Sequence, residues 1–456
     1  MSDKYRIKIH GWEKPAIMRE LIDEFLQPEE YDLLPDDGFF YDRAIHINTD
    51  GSTDRDTIKA ELFDRLKEIT GRCPDWRILT GVRPVKLAGE MLESTGSREQ
   101  VLKTLTGPYR LTDEKSNLIV DTYELQDKVF GKPHPDSVGI YIGIPFCPTR
   151  CVYCSFASNQ VPDSEIERYM PALLHEVEVS GSRMRESGIF AESIYIGGGT
   201  PTTLSEKQLE ALLLKTRECL DAAHAAEFTV EAGRPDTITP GKLSLLKQMG
   251  VSRISINPQS MQQKTLDAIG RFHTPEDIEK AFREAERVGF PVINADLIAG
   301  LPGETEEDFR DTLTKVLALG ANNITVHTLA VKRASRLKDI DESYHYKAAD
   351  IVAKMLSYSR EILSDRGFSP YYLYRQKHMA GYFENTGWAL PGTENLYNVR
   401  IMDEHQTIVA LGAGGISKRY YPETNRLERV PNVTNYREYI DRIEEMLIRK
   451  ENKLWR

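Results

Sequence analysis

The stretch GIYIGIPFCPTRCVYCSF (139–156) carries the strongest structural signal in this chain of 456 residues. Its first half predicts a β-strand that runs to Phe146, because apolar residues, several of them β-branched, recur at every second position. Three cysteines, Cys147, Cys151 and Cys154, follow at once. A strand followed by a loop that carries chemistry is typical of α/β proteins whose sites lie at the carboxyl ends of parallel strands.

Short apolar runs rich in β-forming residues recur downstream of this stretch, with helix-like segments between most of them. Six runs occur, at 139–146, 193–199, 227–233, 252–257, 291–300 and 322–331. Strands that alternate with helices predict βαβ units and a parallel sheet. Six units are too few for the closed eight-stranded barrel. We therefore predict an α/β fold with an incomplete (β/α)6 TIM-type barrel over 133–335.

Two further domains are predicted around this barrel. Residues 1–132 mix strand and helix signals, and the polar segment 131–137 contains one glycine and two prolines, which predicts an N-terminal α/β extension followed by a linker. From 336 the alternation stops, and a long helix and a charged amphipathic tail take its place. We expect a mainly helical C-terminal domain over 336–456 that covers the substrate.

Composition excludes several classes of protein. Hydrophobic residues make up 40% of the chain and charged residues 28%, which is ordinary for a globular protein. No run approaches the ~18 apolar residues of a membrane span, and residues 1–15 lack the apolar segment of a secretory signal. With only five cysteines, the chain is expected to be cytoplasmic and reduced. The net charge of −11 argues against nucleic-acid binding.

The C-x3-C-x2-C spacing indicates metal ligation. Three thiolates can hold three corners of a [4Fe–4S] cube and leave the fourth iron to a non-protein ligand. The alternative is a structural zinc ion held by three cysteines and a histidine, but no local C-x-x-H or second C-x-x-C supplies the fourth ligand. The spacing therefore favours the cluster. Cys73 and Cys219 have no partner in the sequence, and we expect ordinary packed thiols.

Polar residues and glycines at the ends of the other predicted strands indicate a small-molecule site. GGGTPT (197–202) follows the second strand, and its glycines let the backbone approach a ligand closely. Four polar residues follow or interrupt the later strands: Glu231, Gln259, Arg271 and Asp296. Each alone is as compatible with a buried structural hydrogen bond as with function. Because they share one rim of the predicted barrel, together they favour a polar ligand site.

A basic and aromatic segment, YYLYRQKH (371–378), lies in the C-terminal region together with Arg400, Lys418 and Arg419. Guanidinium groups bind carboxylates through two hydrogen bonds, so these residues suggest an anionic ligand, with solvated surface charge as the alternative. His327 follows the last predicted strand, and we expect a core histidine there rather than a catalytic one.

Together these motifs resemble the radical S-adenosylmethionine (SAM) proteins and, more narrowly, the oxygen-independent coproporphyrinogen III dehydrogenases and their relatives. The resemblance spans 139–420 and rests on the cysteine spacing, GGGTPT, the strand-end glutamate, and IGRxH with NxDLIxGLPGET. Residues 1–132 look like the extension of a long dehydrogenase-like branch. The resemblance implies a [4Fe–4S] cluster, SAM, a tetrapyrrole substrate (coproporphyrinogen III or haem) and a flavodoxin or ferredoxin-like electron donor.

The resemblance also implies residue roles, and no catalytic residue beyond the cluster and SAM. Cys147, Cys151 and Cys154 would ligate the cluster. The SAM on its open iron would contact Tyr141, Gly198, Glu231 and Ile416. A second SAM-sized site, which could overlap the substrate cavity, would be lined by Tyr153, Gly199, Thr200, Gln259, Arg271, Asp296 and Ala330.

The implied reaction is the oxygen-independent oxidative decarboxylation of two coproporphyrinogen III propionates to vinyl groups, which gives protoporphyrinogen IX in haem biosynthesis. Established dehydrogenases often carry a fourth cysteine two residues after the third, and this chain has Phe156 there. A phenylalanine is typical of haem-binding relatives that act as chaperones. Two alternatives therefore stand beside the dehydrogenase: a haem chaperone or trafficking protein on the same fold, and another radical SAM enzyme that acts on haem.

Overall fold

The structure is a computed structural model that describes residues 4–12, 15–35, 37, 44–48, 54–156, 158–331, 336–337, 348–376 and 379–455. Within these ranges the strands form one three-stranded sheet and one eleven-stranded sheet. None of the described helices is long and apolar enough to cross a membrane.

The N-terminal part combines a small parallel sheet with five helices. Its strands are β1 (Tyr5–His10), β2 (Tyr31–Leu34) and β3 (Ala44–Asn48), in the order β2-β1-β3. Its helices are α1 (Arg19–Asp23), α2 (Arg55–Thr70), α3 (Pro84–Thr95), α4 (Arg98–Thr106) and α5 (Asp113–Phe130). Side chains at Asp54, Ser97 and Thr112 cap the amino ends of α2, α4 and α5, which explains where these helices begin.

Six parallel strands form the centre of the large sheet, each beside the next in the chain. They are β4 (Ser137–Ile144), β5 (Phe190–Gly198), β6 (Glu227–Glu231), β7 (Arg253–Ser255), β8 (Val292–Ala299) and β9 (Asn323–Thr328). The helices between them are α6 (Asp163–Glu186), α7 (Glu206–Leu220), α8 (Pro240–Gln248), α9 (Gln263–Ala268), α10 (Pro275–Val288) and α11 (Glu306–Ala318). The predicted α/β alternation is therefore confirmed. Among the described residues β4 and β9 do not pair, so the sheet does not close.

In its described residues the C-terminal region mixes four α-helices with five strands, so the prediction of a mainly helical domain is not confirmed. Its helices are α12 (Ala349–Asp365), α13 (Leu396–Asp403), α14 (Tyr436–Asp441) and α15 (Ile443–Lys453), and its strands are β10 (Ser369–Arg375), β11 (Glu384–Ala389), β12 (Thr407–Leu411), β13 (Ile416–Tyr421) and β14 (Arg426–Pro431). The full order is β10-β11-β9-β8-β7-β6-β5-β4-β12-β13-β14. These strands pair with the two edges of the six-stranded sheet, and local periodicity does not reveal such distant partners.

Apolar packing follows the same division. One core joins the central strands and helices to the C-terminal region, whereas the N-terminal part has two cores of its own. One of these includes Leu373 of β10. Two buried ion pairs hold the N-terminal part to the C-terminal strands: Lys115 to Glu384 at 2.5 Å, and Arg375 to Glu24 at 2.9 Å.

A buried carboxylate ties α6 to the C-terminal region. Glu176 is fully buried, and its oxygens accept hydrogen bonds from the Gly412 amide at 2.6 Å, the Tyr439 hydroxyl at 2.6 Å and the Asn432 amide at 2.9 Å. The Lys450 ammonium group completes the set. A charge buried so deeply is tolerated only with this full set of partners.

Replacement of Lys450 by methionine tests this network. The variant leaves Glu176 buried without its cation, so the free energy of unfolding should fall by about 3–5 kcal/mol in urea titrations of the apoprotein. Lys453→Met on the same helix is the control, because Lys453 is 52% exposed and lies 3.4 Å from Glu428. The Lys453→Met variant should lower the free energy of unfolding by only about 0–1 kcal/mol. Equal losses in the two variants would contradict the network.

Candidate active site

A cavity of about 470 Å³ runs along the concave face of the central sheet. This size lies within the range of ligand pockets. Every one of the six parallel strands contributes to its wall, and β10, β11 and α13 complete the enclosure. One representative from each parallel strand in turn is Tyr141, Tyr195, Glu231, Ser255, Asp296 and His327.

The three cysteines of the first loop lie at one end of this cavity. Cys151 is buried, and Cys147 and Cys154 are half-buried. Backbone hydrogen bonds fix the loop, from Cys147 to the Asn159 carbonyl and from Val152 to the Ile269 carbonyl, both at 3.1 Å. Burial raises the pKa of the Cys147 thiol to about 11, so without a metal it stays protonated at neutral pH.

Glycines allow the second strand to pass close to the cysteines. Gly198 has a φ of +114°, which other residues rarely adopt. A Cβ atom on Gly199 would lie 2.5 Å from the Phe146 carbonyl oxygen and 2.9 Å from the Cys147 sulfur. Thr200 follows, and its hydroxyl lies 3.4 Å from the same sulfur. The glycines therefore leave room beside the sulfur atoms that any side chain would fill.

Tyrosines and a buried carboxyl form the next part of the wall. The Tyr195 hydroxyl donates to Glu231 Oε1 at 2.6 Å. The rings of Tyr141 and Tyr195 each stack near Tyr397, with centroids 6.2 and 4.8 Å away. Burial raises the pKa of Glu231 to about 7, against the lowering effect of the Tyr195 hydrogen bond. The wall thus presents a carboxyl that accepts readily from a ligand hydroxyl or ammonium group.

A second carboxylate lies across the cavity. Asp296 Oδ1 accepts from the Asn294 amide at 2.8 Å, and its Oδ2 lies 3.8 Å from His327 Nε2. Burial alone would raise the pKa of Asp296, but the hydrogen bond and charge of His327 hold it below its usual value. The Tyr374 hydroxyl lies 3.4 Å from the other nitrogen of His327. His327 is therefore part of the cavity wall, and the expectation of a core histidine is wrong.

Comparison with known proteins identifies the family. Residues 141–316 match the radical SAM superfamily. The oxygen-independent coproporphyrinogen-III oxidase-like protein HemZ of Bacillus subtilis is 38% identical over 395 residues, which cover 86% of this chain and 79% of HemZ. This chain belongs to the radical SAM superfamily, in its coproporphyrinogen-III oxidase-like group. The superfamily uses a [4Fe–4S] cluster and SAM.

Two further relatives extend this comparison. The heme chaperone HemW of Bacillus subtilis is 30% identical over 308 residues, which cover 67% of this chain and 76% of HemW. The solved structure of coproporphyrinogen III oxidase (HemN) from Escherichia coli, a radical SAM enzyme, superimposes with a TM-score of 0.54 at 22% identity over 71% of this chain and 73% of HemN. At that identity the likeness to HemN shows a shared fold.

The residues of this chain fit both cofactors of the superfamily. The described His, Cys, Asp and Glu side chains include no group that converges on a single metal ion, and a [4Fe–4S] cube, which takes each cysteine at a different corner, does not need such convergence. Beside the cysteines, three buried polar atoms lack a partner among the described residues: Asn257 Oδ1, Gln259 Oε1 and Arg271 Nε. Unsatisfied buried atoms are expected where a polar ligand supplies the hydrogen bonds.

The cavity brings together nearly all the residues implied by the resemblance. Besides the cysteines, the wall contains Tyr141, Tyr153, Gly198, Gly199, Thr200, Glu231, Gln259, Arg271, Asp296 and Ala330. Ile416 lies outside this wall, 48% exposed at the start of β13. Cys73 is exposed rather than packed, and Cys219 is half-buried on α7.

The basic residues of the C-terminal region do not form an anion site, and this prediction is wrong for the described residues. Three are held in internal ion pairs: Arg375 with Glu24, Arg400 with Glu192 and Lys418 with Glu404. Arg419 donates to the Lys453 carbonyl. Residues 377 and 378 lie outside the described residues. Each acidic partner is at least 14 residues away along the chain, so a local sequence pattern cannot reveal these ion pairs.

Sequence reasoning also missed part of the wall. Tyr195 occupies an inward position of β5, and its alternation with Ile194 and Ile196 is a signal that could have found it. The sequence analysis singled out the segment 371–378, and its tyrosines Tyr372 and Tyr374 line the cavity. Tyr397 carries no such signal, because its helix reaches the cavity only through the fold.

Replacement of Gly199 by alanine tests the space beside the cysteines. The added Cβ would clash with the Phe146 carbonyl and the Cys147 sulfur, so the variant should retain little iron and labile sulfide after anaerobic reconstitution. Gly81→Ala is the control, because a Cβ there would meet nothing within 4 Å. Full iron content in the Gly199 variant would show that the loop accommodates the added Cβ atom without loss of the cluster.

Burial of Glu231 predicts a pH-dependent stability of the apoprotein. With its pKa raised from 4.5 to about 7, the stability that Glu231 contributes is fully present below pH 4.5 and is lost as the pH rises through about 7. Glu231→Gln cannot ionise, so from about pH 5 to about pH 8 it should gain about 3 kcal/mol relative to the wild type. Urea titrations at several pH values measure this, with Glu279→Gln on α10 as the control. A pH-independent difference would argue against the shifted carboxyl.

Proposed function

We propose that this protein is a radical SAM oxidoreductase that decarboxylates coproporphyrinogen III propionates to vinyl groups without oxygen, giving protoporphyrinogen IX in haem biosynthesis. The observation that carries the proposal is the single cavity that joins the three cysteines to a polar interior lined by all six parallel strands. Such a cavity lets a cluster and a tetrapyrrole share one enclosed space. The similarity to HemZ over most of the chain supports the substrate class.

The proposed reaction divides the work between cofactors and protein. When bound, the cluster and SAM supply one-electron chemistry that removes a hydrogen atom from the propionate carbon next to the ring. Loss of carbon dioxide and transfer of one further electron to an external one-electron acceptor would then leave the vinyl group. We propose a flavodoxin or ferredoxin-like donor for the cluster.

The protein's own residues provide binding and exclusion of water. By the family resemblance, Cys147, Cys151 and Cys154 hold the cluster, and Tyr141, Gly198, Glu231 and Ile416 contact its SAM. Glu231 is well placed for this, because it is buried and held by Tyr195 at 2.6 Å. The residues of the second SAM-sized site line the same cavity, which is why that site and the substrate site could overlap. No described group needs to act as a general acid or base.

The domain organisation belongs to the same proposal. We propose an incomplete (β/α)6 barrel over 133–335, an N-terminal extension over 1–132 and a C-terminal region over 336–456 that covers the substrate in a cytoplasmic protein. The unclosed order of the six parallel strands supports the barrel. The cavity-lining residues of β10, β11 and α13 support the covering role.

A haem chaperone is the second candidate, and Phe156 favours it. This residue stands where the dehydrogenases often have a fourth cysteine, it is 66% exposed, and it lines the cavity beside the cysteines. An exposed aromatic ring at that position suits the flat face of a porphyrin. The similarity to HemW supports this candidate over 67% of the chain.

An anaerobic assay separates these candidates. Reconstituted protein is incubated with SAM, dithionite and coproporphyrinogen III, and the products are analysed by mass spectrometry. We expect loss of two carboxyl groups with one 5′-deoxyadenosine for each, and none from Cys151→Ala. Deoxyadenosine without decarboxylation would reject this substrate and favour another reaction on haem. A cluster-loaded sample that forms neither product and binds haem stoichiometrically would establish the chaperone.

A further inference from the structure

We propose that the end of the cavity remote from the cysteines is a carboxylate-binding pocket in which Arg253 anchors a propionate of the substrate. This inference rests on the proposed tetrapyrrole substrate and adds the residue that orients it. We call this region the floor pocket and define it by four side chains: Arg253, Asn323, Tyr371 and Asn398.

The position of Arg253 follows from the sheet. Arg253 is the first residue of β7, and Asn323 is the first residue of β9. Both therefore lie at the amino ends of their strands, whereas the cysteine loop follows the carboxyl end of β4. The cavity therefore extends along the strands, which rise about 3.3 Å per residue, from their amino ends to their carboxyl ends.

Three of these side chains are held in place by hydrogen bonds. Arg253 Nη2 donates to the carbonyl oxygens of Thr393 and Glu394, at 2.5 and 2.6 Å. The Asn323 amide donates to the same Thr393 oxygen at 2.6 Å, and the Tyr371 hydroxyl donates to Asn323 Oδ1 at 3.2 Å. These bonds hold the guanidinium plane and the phenol ring in place. The pocket is therefore organised before any ligand enters.

The guanidinium group of Arg253 retains unused donors. The side chain is 3% exposed, and its Nε and Nη1 atoms have no hydrogen-bond partner among the described residues. Glu227 Oε2 lies 3.4 Å from Nε and balances the charge of the guanidinium group, so Nη1 is the donor that a ligand would complete. A buried N–H donor without a hydrogen bond costs free energy unless a ligand supplies the acceptor.

The chemistry of the pocket favours a carboxylate. The open Nη1 donor belongs to a charged guanidinium group, and such a donor binds a carboxylate oxygen more strongly than it binds a neutral acceptor. A tetrapyrrole with four propionates keeps two of them through the reaction. A propionate anchored at the floor pocket would direct another toward the cysteine end. The other basic candidates, Arg375, Arg400 and Lys418, do not line the cavity.

Binding of coproporphyrin III, the stable oxidised form, tests the anchor in cluster-loaded protein. Titration followed by porphyrin fluorescence should show that Arg253→Met weakens binding about 10-fold or more. The tetramethyl ester of the same porphyrin should bind the wild type at least as weakly, and Arg253→Met should change its affinity little. Arg400→Met is the matched control, because it removes a buried arginine outside the cavity and should leave coproporphyrin affinity unchanged.

A second ligand and a second variant keep the test decisive. The amino-acid carboxylate of a second SAM could occupy the same pocket, so S-adenosylhomocysteine is titrated in parallel. Weakened S-adenosylhomocysteine binding with unchanged coproporphyrin affinity would overturn the substrate assignment. If Arg253→Met loses its cluster or unfolds, Arg253→Gln replaces it, and an unchanged coproporphyrin affinity in that uncharged variant would overturn the anchor.

The outcome is independent of the proposed reaction. Protein that binds coproporphyrin through Arg253 but does not decarboxylate coproporphyrinogen III would refute the reaction and keep the anchor. Decarboxylation with an unchanged KM in Arg253→Met would support the reaction and refute the anchor.

Discussion

The two unpaired edges of a six-stranded parallel sheet are the constraint on which the rest of this structure depends. Exposed strand edges carry unsatisfied backbone groups, and a sheet that does not close must cover them. Here β12 pairs with β4 and β11 pairs with β9, so segments more than 50 residues downstream of the last parallel strand complete both edges. The same segments bring tyrosines and amides into the cavity. The same segments therefore both protect the sheet edges and enclose the site.

A polar interior follows from that solution and shapes the rest of the molecule. Most inward positions of β6 to β9 are occupied by polar residues rather than by the branched apolar residues of a packed barrel, with Ile298 as an apolar exception. Such residues are stable inside only when bonded to one another or to a ligand. Most of them are bonded to one another, and the exceptions mark the places where a ligand completes the network.

The N-terminal part supports the wall of the cavity from outside. Arg375 ends β10, and its guanidinium pairs with Glu24, donates to the Tyr382 carbonyl and lies 4.9 Å from the Trp76 ring. Trp76 in turn donates to Glu384, which also binds Lys115. Burial raises the pKa of Glu24 to about 7 against the attraction of Arg375. The extension therefore fixes β10, which carries Tyr372 and Tyr374 into the cavity, and its partner strand β11.

The sequence by itself determined the cysteine loop, the six parallel strands and almost every polar residue at their carboxyl ends. It could do so because each of these features is local: alternation within one strand, spacing within one loop, or a glycine run at one strand end. Only the tertiary structure decided that strands of the C-terminal region extend the central sheet, that Arg375 and Arg400 are buried in ion pairs, and that Arg253 lines the cavity with an open donor. Arg375 and Glu24 are 351 residues apart, and Arg400 and Glu192 are 208 apart. No local pattern encodes such pairs, because the free energy that selects them arises only when the sheet edges have found their partners.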